Sequence, residues 1–194
     1  MQTNILLKHR ILFLSGPVNN QMADRVIASL LLLDAEDPTS PIDLYINSPG
    51  GSLFDGMAII DTMQCLRAPI RTLCVGQAAS TAACLLACGA KGHRFSAPNA
   101  EIMIHQIEAG IAGSAVDMQL QAQRVIRLQE NLIVMLADWT GKSKESIRKD
   151  LDRESFMTAP QAVDYGLVDH ILEPYSMAEK AALLANQEES QYEQ

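Results

Sequence analysis

Gly76-Gln77-Ala78-Ala79-Ser80-Thr81-Ala82-Ala83 separates two apolar stretches of different character. Before it, Ile70 to Val75 is short and β-prone; after it, Ala82 to Cys88 is a run of small and apolar residues that reads as a buried helix. A serine between a strand and a helix is held by backbone on both sides, with the free N–H groups of the helix's first turn beside it. That setting suits a nucleophile, and the Thr81 N–H points where negative charge would develop on an attacked carbonyl. The same serine would also serve as a helix cap. The stretch alone leaves both readings open.

Upstream, the pattern repeats the same alternation. Ile11 to Leu14 reads as a buried strand stopped by Ser15-Gly16-Pro17. Met22, Val26, Leu30 and Leu33 keep helical spacing, and Asp37-Pro38 closes that helix before a strand from Ile42 to Ile46. That strand runs into Asn47-Ser48-Pro49-Gly50-Gly51, and Leu53, Met57 and Ile60 mark the next helix. Paired glycines at such a turn expose consecutive N–H groups, which is how an oxyanion is held, although Pro-Gly-Gly is also an ordinary turn.

Downstream, Glu101 to His105 is a β-prone run ending on a histidine, one of four in the chain with His9, His93 and His170. A histidine there is structural or functional on the same evidence. Gly110 and Gly113 interrupt the chain before a long helix with an apolar stripe at Val125, Leu128, Leu132, Met135 and Trp139, closed by Thr140-Gly141. A helix of this length is expected either to pack on the core or to project and carry partner contacts. A second helix covers Lys144 to Leu151. Thr158 caps a short helix with Pro160 in its first turn and Gly166 at its end, followed by a last strand over Leu167 to Leu172.

The 194 residues, 48% of them hydrophobic, suffice for one domain spanning 1–194, with a short N-terminal segment at 1–10 and a polar tail at 173–194 that is partly helical through Ala178 to Leu184. A formal charge of −8, with basic clusters only at Lys8 to Arg10 and Lys91 to Arg94, argues against a nucleic-acid partner. Without a spanning apolar run the chain reads as soluble and cytoplasmic, with no membrane partner. Cys65, Cys74, Cys84 and Cys88 form no CxxC pair and no zinc spacing, so no metal is expected, and Cys84 and Cys88 read as reduced residues on one helix face.

Four segments in this order, Tyr45-Ile46-Asn47-Ser48-Pro49-Gly50-Gly51, Gly76 to Ser80, Met103-Ile104-His105-Gln106 and Ala159 to Asp169, resemble the proteolytic subunits of the Clp protease family over about Ile5 to Ile171. The resemblance implies an α/β fold of the ClpP/crotonase type, built of repeated strand-helix units with a protruding long helix. It implies a serine endopeptidase that stacks two heptameric rings into a tetradecamer with a closed chamber. Ser80 would then be the nucleophile, His105 the general base, and Gly51 and Thr81 the oxyanion donors. The third member, an aspartate in the family, falls on Glu154, with Asp152 and Asp150 as nearby alternatives. Arg153 resembles the ring-to-ring arginine, and Asp117 is an acid available to it.

Implied partners are further copies of this chain, a second Clp subunit, a hexameric AAA+ unfoldase and an unfolded polypeptide. No cofactor is implied for this chain, since ATP is used by the unfoldase. Two further departures stand beside Glu154: Ile107 replaces the family's proline after His-Gln, and Ser114 replaces a glutamine. Residues 1–10 are also too few for the family's axial loops, so weaker coupling to an unfoldase is expected. These departures make a weakly active structural or regulatory subunit of a mixed particle the main alternative. A crotonase-like acyl-CoA enzyme shares the Gly50-Gly51 turn but not the serine and histidine pair. A signal-peptide peptidase with a lysine base would need a membrane span.

Overall fold

The computed structural model describes residues 2–110 and 112–174. Its chain order is α1 (Gln2–Lys8), β1 (Ile11–Ser15), α2 (Asn20–Glu36), β2 (Ile42–Ser48), α3 (Leu53–Cys65), β3 (Ile70–Ala79), α4 (Thr81–Ala87), β4 (Arg94–Ser96), β5 (Glu101–Ile104), α5 (Ala115–Thr140), α6 (Lys144–Asp150), β6 (Ser155–Thr158), α7 (Ala159–Tyr165) and β7 (His170–Ile171). The helix expected over Ala178 to Leu184 lies outside the described residues. Helix α1, in contrast, forms where the sequence suggested only a short lead-in segment.

One mixed sheet holds all seven strands. Strands β1, β2, β3, β4 and β7 run parallel in that order, as strands joined by helical crossovers must. Strand β3 is the branch point. Its first half pairs with β4 through Thr72 to Cys74, and its second half pairs with β5 through Gln77 to Ala79. Between the halves Gly76 takes φ +79°, and the register with β2 shifts, from Ile46 opposite Cys74 to Ser48 opposite Ala78. A side chain at Gly76 would meet Asn47 Oδ1 at 2.8 Å, so both its backbone conformation and its surroundings call for glycine. The strand therefore continues four residues beyond the expected end at Val75. Its extension depends on β5, a partner that comes later in the chain.

The helices follow their apolar spacing. Helix α2 buries Met22, Val26, Leu30 and Leu33, and its first turn is capped by Asn19 Oδ1, which accepts from Met22 N at 3.0 Å. All seven residues of α4 are buried, so that helix fills the centre of the molecule beneath β3. Helix α5 is different along its length. Its buried residues are Leu132, Ile133 and Leu136, whereas Val116, Leu120 and Ile126 are 67%, 59% and 63% exposed. The first half of this helix thus projects from the body, and only the C-terminal part of its apolar stripe is core.

The last expected strand is shortened to His170–Ile171. The amides of Leu167 and Val168 are used at the end of α7, where both reach Ala162 O, so they cannot join the ladder. All four cysteines are free. Burial pushes the thiols of Cys74 and Cys84 up to about 12, which makes them unreactive core residues.

One arginine of each basic cluster is structural, while Lys8, His9, Lys91 and His93 are exposed. Arg10, at φ +60°, donates from its guanidinium to the carbonyls of Leu33, Asp37, Ser40 and Pro41, closing the α2–β2 corner. Arg94 is 3% exposed and pairs with Asp169 at 2.6 Å, while its other nitrogen reaches Ala87 O and Trp139 O. That one side chain joins β4, β7, α4 and α5. Burial raises the Asp169 carboxyl, but the hydrogen bonds from Arg94 and from the Gly92 N–H more than offset it and hold it below the ordinary aspartate value.

Asp169→Ala should therefore destabilise the fold by about 3 kcal/mol in urea unfolding at neutral pH, because it leaves a guanidinium buried without its partner. The sign with pH follows from the depressed folded value. The stabilisation is complete above the unfolded aspartate value of about 4 and is lost as pH falls through the lower folded value. The gap between wild type and variant should accordingly close in acid; a gap that widens there would refute the assignment.

Candidate active site

Ser80 is the single residue between the end of β3 and the start of α4. It has φ +56° and ψ −123°, a conformation that a side chain makes costly. The surroundings hold it there. Its N–H donates to Met103 O at 2.8 Å, extending the β3–β5 ladder, and its carbonyl accepts from Ala83 N at 3.0 Å, opening the helix. Although Ser80 occupies the cap position, its side chain makes no capping bond. Its hydroxyl instead meets His105, with Oγ 2.8 Å from Nε2. The simple cap reading of this serine is thereby set aside.

His105 follows β5 directly, and its side chain is 16% exposed. Because β5 lies beside the second half of β3, the strand ends carry Ser80 and His105 to one edge of the sheet. The glycine turn arrives from the other side. Gly50 sits so close to the serine that a Cβ there would fall 2.5 Å from Ala79 O and 2.8 Å from Ser80 Cβ. Gly51 forms a parallel bridge with Val18, in which Val18 N bonds to Gly50 O and Ser52 N to Val18 O. That pattern leaves the Gly51 N–H out of the bridge. Thr81 is the first residue of α4, where an amide has no partner within the helix. Thr81 Oγ1 donates to Gly51 O at 3.2 Å and ties the two turns together.

Ser80, His105, Gly51 and Thr81 line one cleft of about 390 Å³. Its deeper wall is apolar, made by Met57 and Ile60 of α3 and Leu132 and Leu136 of α5. The site can thus offer a hydroxyl, a base, two free N–H groups and a pocket for an apolar side chain.

Glu154 is not brought to the histidine. Strand register continued from Ile104–Ser155 would set His105 opposite Glu154, but the ladder stops there and Gln106 N bonds to Leu151 O at 2.8 Å. Pairing has slipped by two residues, so Asp152 to Glu154 loop out and are exposed, and no ion pair within 4.0 Å joins Glu154 to His105. Asp150 is engaged elsewhere, accepting from Tyr165 Oη at 2.9 Å. Asp152 meets the region only through its carbonyl, which accepts from Gln106 Nε2 at 3.5 Å.

The acid that does face His105 is one the sequence reading did not select: Glu108 Oε1 lies 3.8 Å from Nδ1. Its spacing of three from the histidine was visible, but in a loop that spacing carries no geometric meaning. Gln129 was missed as well; its Oε1 accepts from Ile107 N at 2.8 Å, a contact only the fold creates. Arg153 is exposed, and Asp117 is hydrogen-bonded to Ser114 at the start of α5, so the two do not meet within one chain. Among the other histidines, His170 packs against Phe95 on the far edge of the sheet.

A strained serine at a strand-to-helix turn, against a histidine and beside free N–H groups, fits the chemistry of a serine hydrolase. A family model described as Clp protease matches residues 1–175, and the chain belongs to that family, a family of serine peptidases. No helix among the described residues is long and apolar enough to cross a membrane.

The strain gives a test separate from catalysis. Ser80→Gly should be more stable than Ser80→Ala by about 1 kcal/mol or more in thermal unfolding, since glycine adopts the observed backbone without cost. Equal stability of the two variants would mean that the turn relaxes in solution.

Proposed function

We propose that this chain is the serine endopeptidase subunit of a self-compartmentalised Clp protease, cleaving unfolded polypeptides delivered by an ATP-dependent unfoldase. The observation that carries the reading is the 2.8 Å approach of Ser80 Oγ to His105 Nε2 in a chain of this family. In the proposed mechanism His105 Nε2 takes the hydroxyl proton as Ser80 Oγ adds to the scissile carbonyl. The N–H groups of Gly51 and Thr81 receive the developing oxyanion. The proton then passes from Nε2 to the leaving amine, and water, activated by the same nitrogen, hydrolyses the acyl-enzyme. These steps call for no cofactor in this chain; ATP would be consumed by the unfoldase.

Two surfaces support the assembled form. The exposed apolar residues on the first half of α5, Val116, Leu120 and Ile126, suit a contact between stacked rings, with Arg153 and Asp117 as its polar partners. Elsewhere on the sheet an open cleft of about 210 Å³, lined by Tyr45, Leu73, Phe95 and Leu172 with the Asp43–Arg71 ion pair at its side, suits loops of an unfoldase that carry an apolar side chain. The second reading, a weakly active structural or regulatory subunit, is favoured by one observation, the separation of Glu154 from His105.

Fluorophosphonate labelling separates the two readings: the peptidase should be labelled rapidly at Ser80, and a weakly active structural or regulatory subunit only slowly. Ser80→Ala and His105→Ala should each lower hydrolysis of a fluorogenic peptide by about 10⁴-fold with the particle mass unchanged. Wild-type activity in either variant would end the serine peptidase reading. Arg153→Ala should shift the native mass towards single rings and reduce activity with it; an unchanged mass would place the ring contact elsewhere.

A further inference from the structure

We propose that Glu108 is the positioning residue of His105, and that Gln129 holds the chain so that it can act; the inference rests on the peptidase reading above. For Nε2 to accept the Ser80 proton, the imidazole must carry its own proton on Nδ1. An acceptor beside Nδ1 selects that tautomer and stabilises the imidazolium that forms in the reaction. Glu108 Oε1, 3.8 Å from Nδ1, is the carboxylate within ion-pair reach of His105 among the described residues. At 3.8 Å the contact is electrostatic rather than a formed hydrogen bond. With its side chain 80% exposed, Glu108 keeps its charge solvated, so its influence is moderate.

The backbone around Glu108 is fixed by two amides bonded to different elements. Gln106 N donates to Leu151 O at the end of α6, and Ile107 N donates to Gln129 Oε1 on α5, each at 2.8 Å. The second bond requires that residue 107 have an N–H. A proline, which the resembled subunits carry there, would have none; with Ile107 the donor exists and Gln129 accepts it. The loss of the proline is thereby matched by a side chain 22 residues away. The same two bonds that pin this segment accompany the slip that carries Glu154 away. One acid is withdrawn from the histidine and another is presented to it.

The test uses the full chain, with particle mass checked for every variant. The readouts are kcat and KM on a fluorogenic peptide and the rate of Ser80 labelling by a fluorophosphonate. Glu108→Ala should lower both kcat and the labelling rate about ten- to a hundredfold and leave KM unchanged, because it acts on the base rather than on peptide binding. Glu108→Gln, which keeps an acceptor oxygen without the charge, should recover part of the loss; a purely structural role would not distinguish the two. Gln129→Ala should also lower kcat, and adding Ile107→Pro to it should change little, since the donor then has no acceptor to lose. Wild-type kcat and labelling in Glu108→Ala, or loss in Glu154→Ala alone, would overturn the inference while leaving the peptidase reading intact. A wild-type chain that neither hydrolyses peptide nor labels at Ser80 would overturn both.

Discussion

The bend of β3 at Gly76 is the constraint on which the rest of the structure depends. A straight strand would keep one neighbour on that edge, and the residues after Cys74 would go on pairing with β4. By turning at a positive φ, with Asn47 packed where a side chain would otherwise stand, the strand gives its second half to β5. That exchange of partners does two things at once. It carries the strand on to Ser80, and it places β5, with His105 at its end, alongside.

The site is then a matter of backbone held from several sides. Ser80 adopts a conformation worth roughly 1–3 kcal/mol of strain, and it is retained because its N–H, its carbonyl and its neighbours are all committed: to Met103, to the first turn of α4, and to Gly50 at van der Waals contact. Nothing in this arrangement depends on the serine side chain, which is left free for His105. Strain at the reacting residue is thus offset by hydrogen bonds in the scaffold, and the fold need not change for the hydroxyl to be presented.

Away from the site, buried polar groups fix the corners where helices return to the sheet. Arg10 closes the exit of α2, and Arg94 with Asp169 joins the last strand to the central helices. Asp34, 8% exposed, accepts the amides of Arg67 and Ala68 at 2.9 and 2.8 Å and so holds the entry to β3. These hydrogen bonds go largely to backbone groups that the loops leave unpaired, which is why Arg94 lies inside an acidic chain and Arg10 is half-buried.

Much of this was already legible in the sequence. Spacing at Met22, Val26, Leu30 and Leu33 gave α2; Thr158 and Pro160 set the start of α7; Gly141 and Gly166 ended their helices in left-handed turns. Those signals are local, acting over one or two turns of chain, and a sequence displays them directly. The strand-to-helix turn at Ser80 and the strand end at His105 were also local features, which is why both candidates could be named. Their approach, across 25 residues, was not local. Nor were the four further residues of β3, the burial of Arg94 against an aspartate 75 residues on, the slip that removes Glu154 from His105, or the pairing of Gln129 with Ile107. In each of these the outcome is set by which strand or helix becomes a neighbour, and hydrogen-bond register between distant segments leaves no periodicity in the chain to be read. The sequence by itself determined the helices from α2 to α7, the parts of β1, β2, β3 and β5 that carry their own apolar runs, and the residue types available for chemistry. The tertiary structure decided the remaining strands and which acid faces the histidine, because both depend on which distant segment becomes a neighbour.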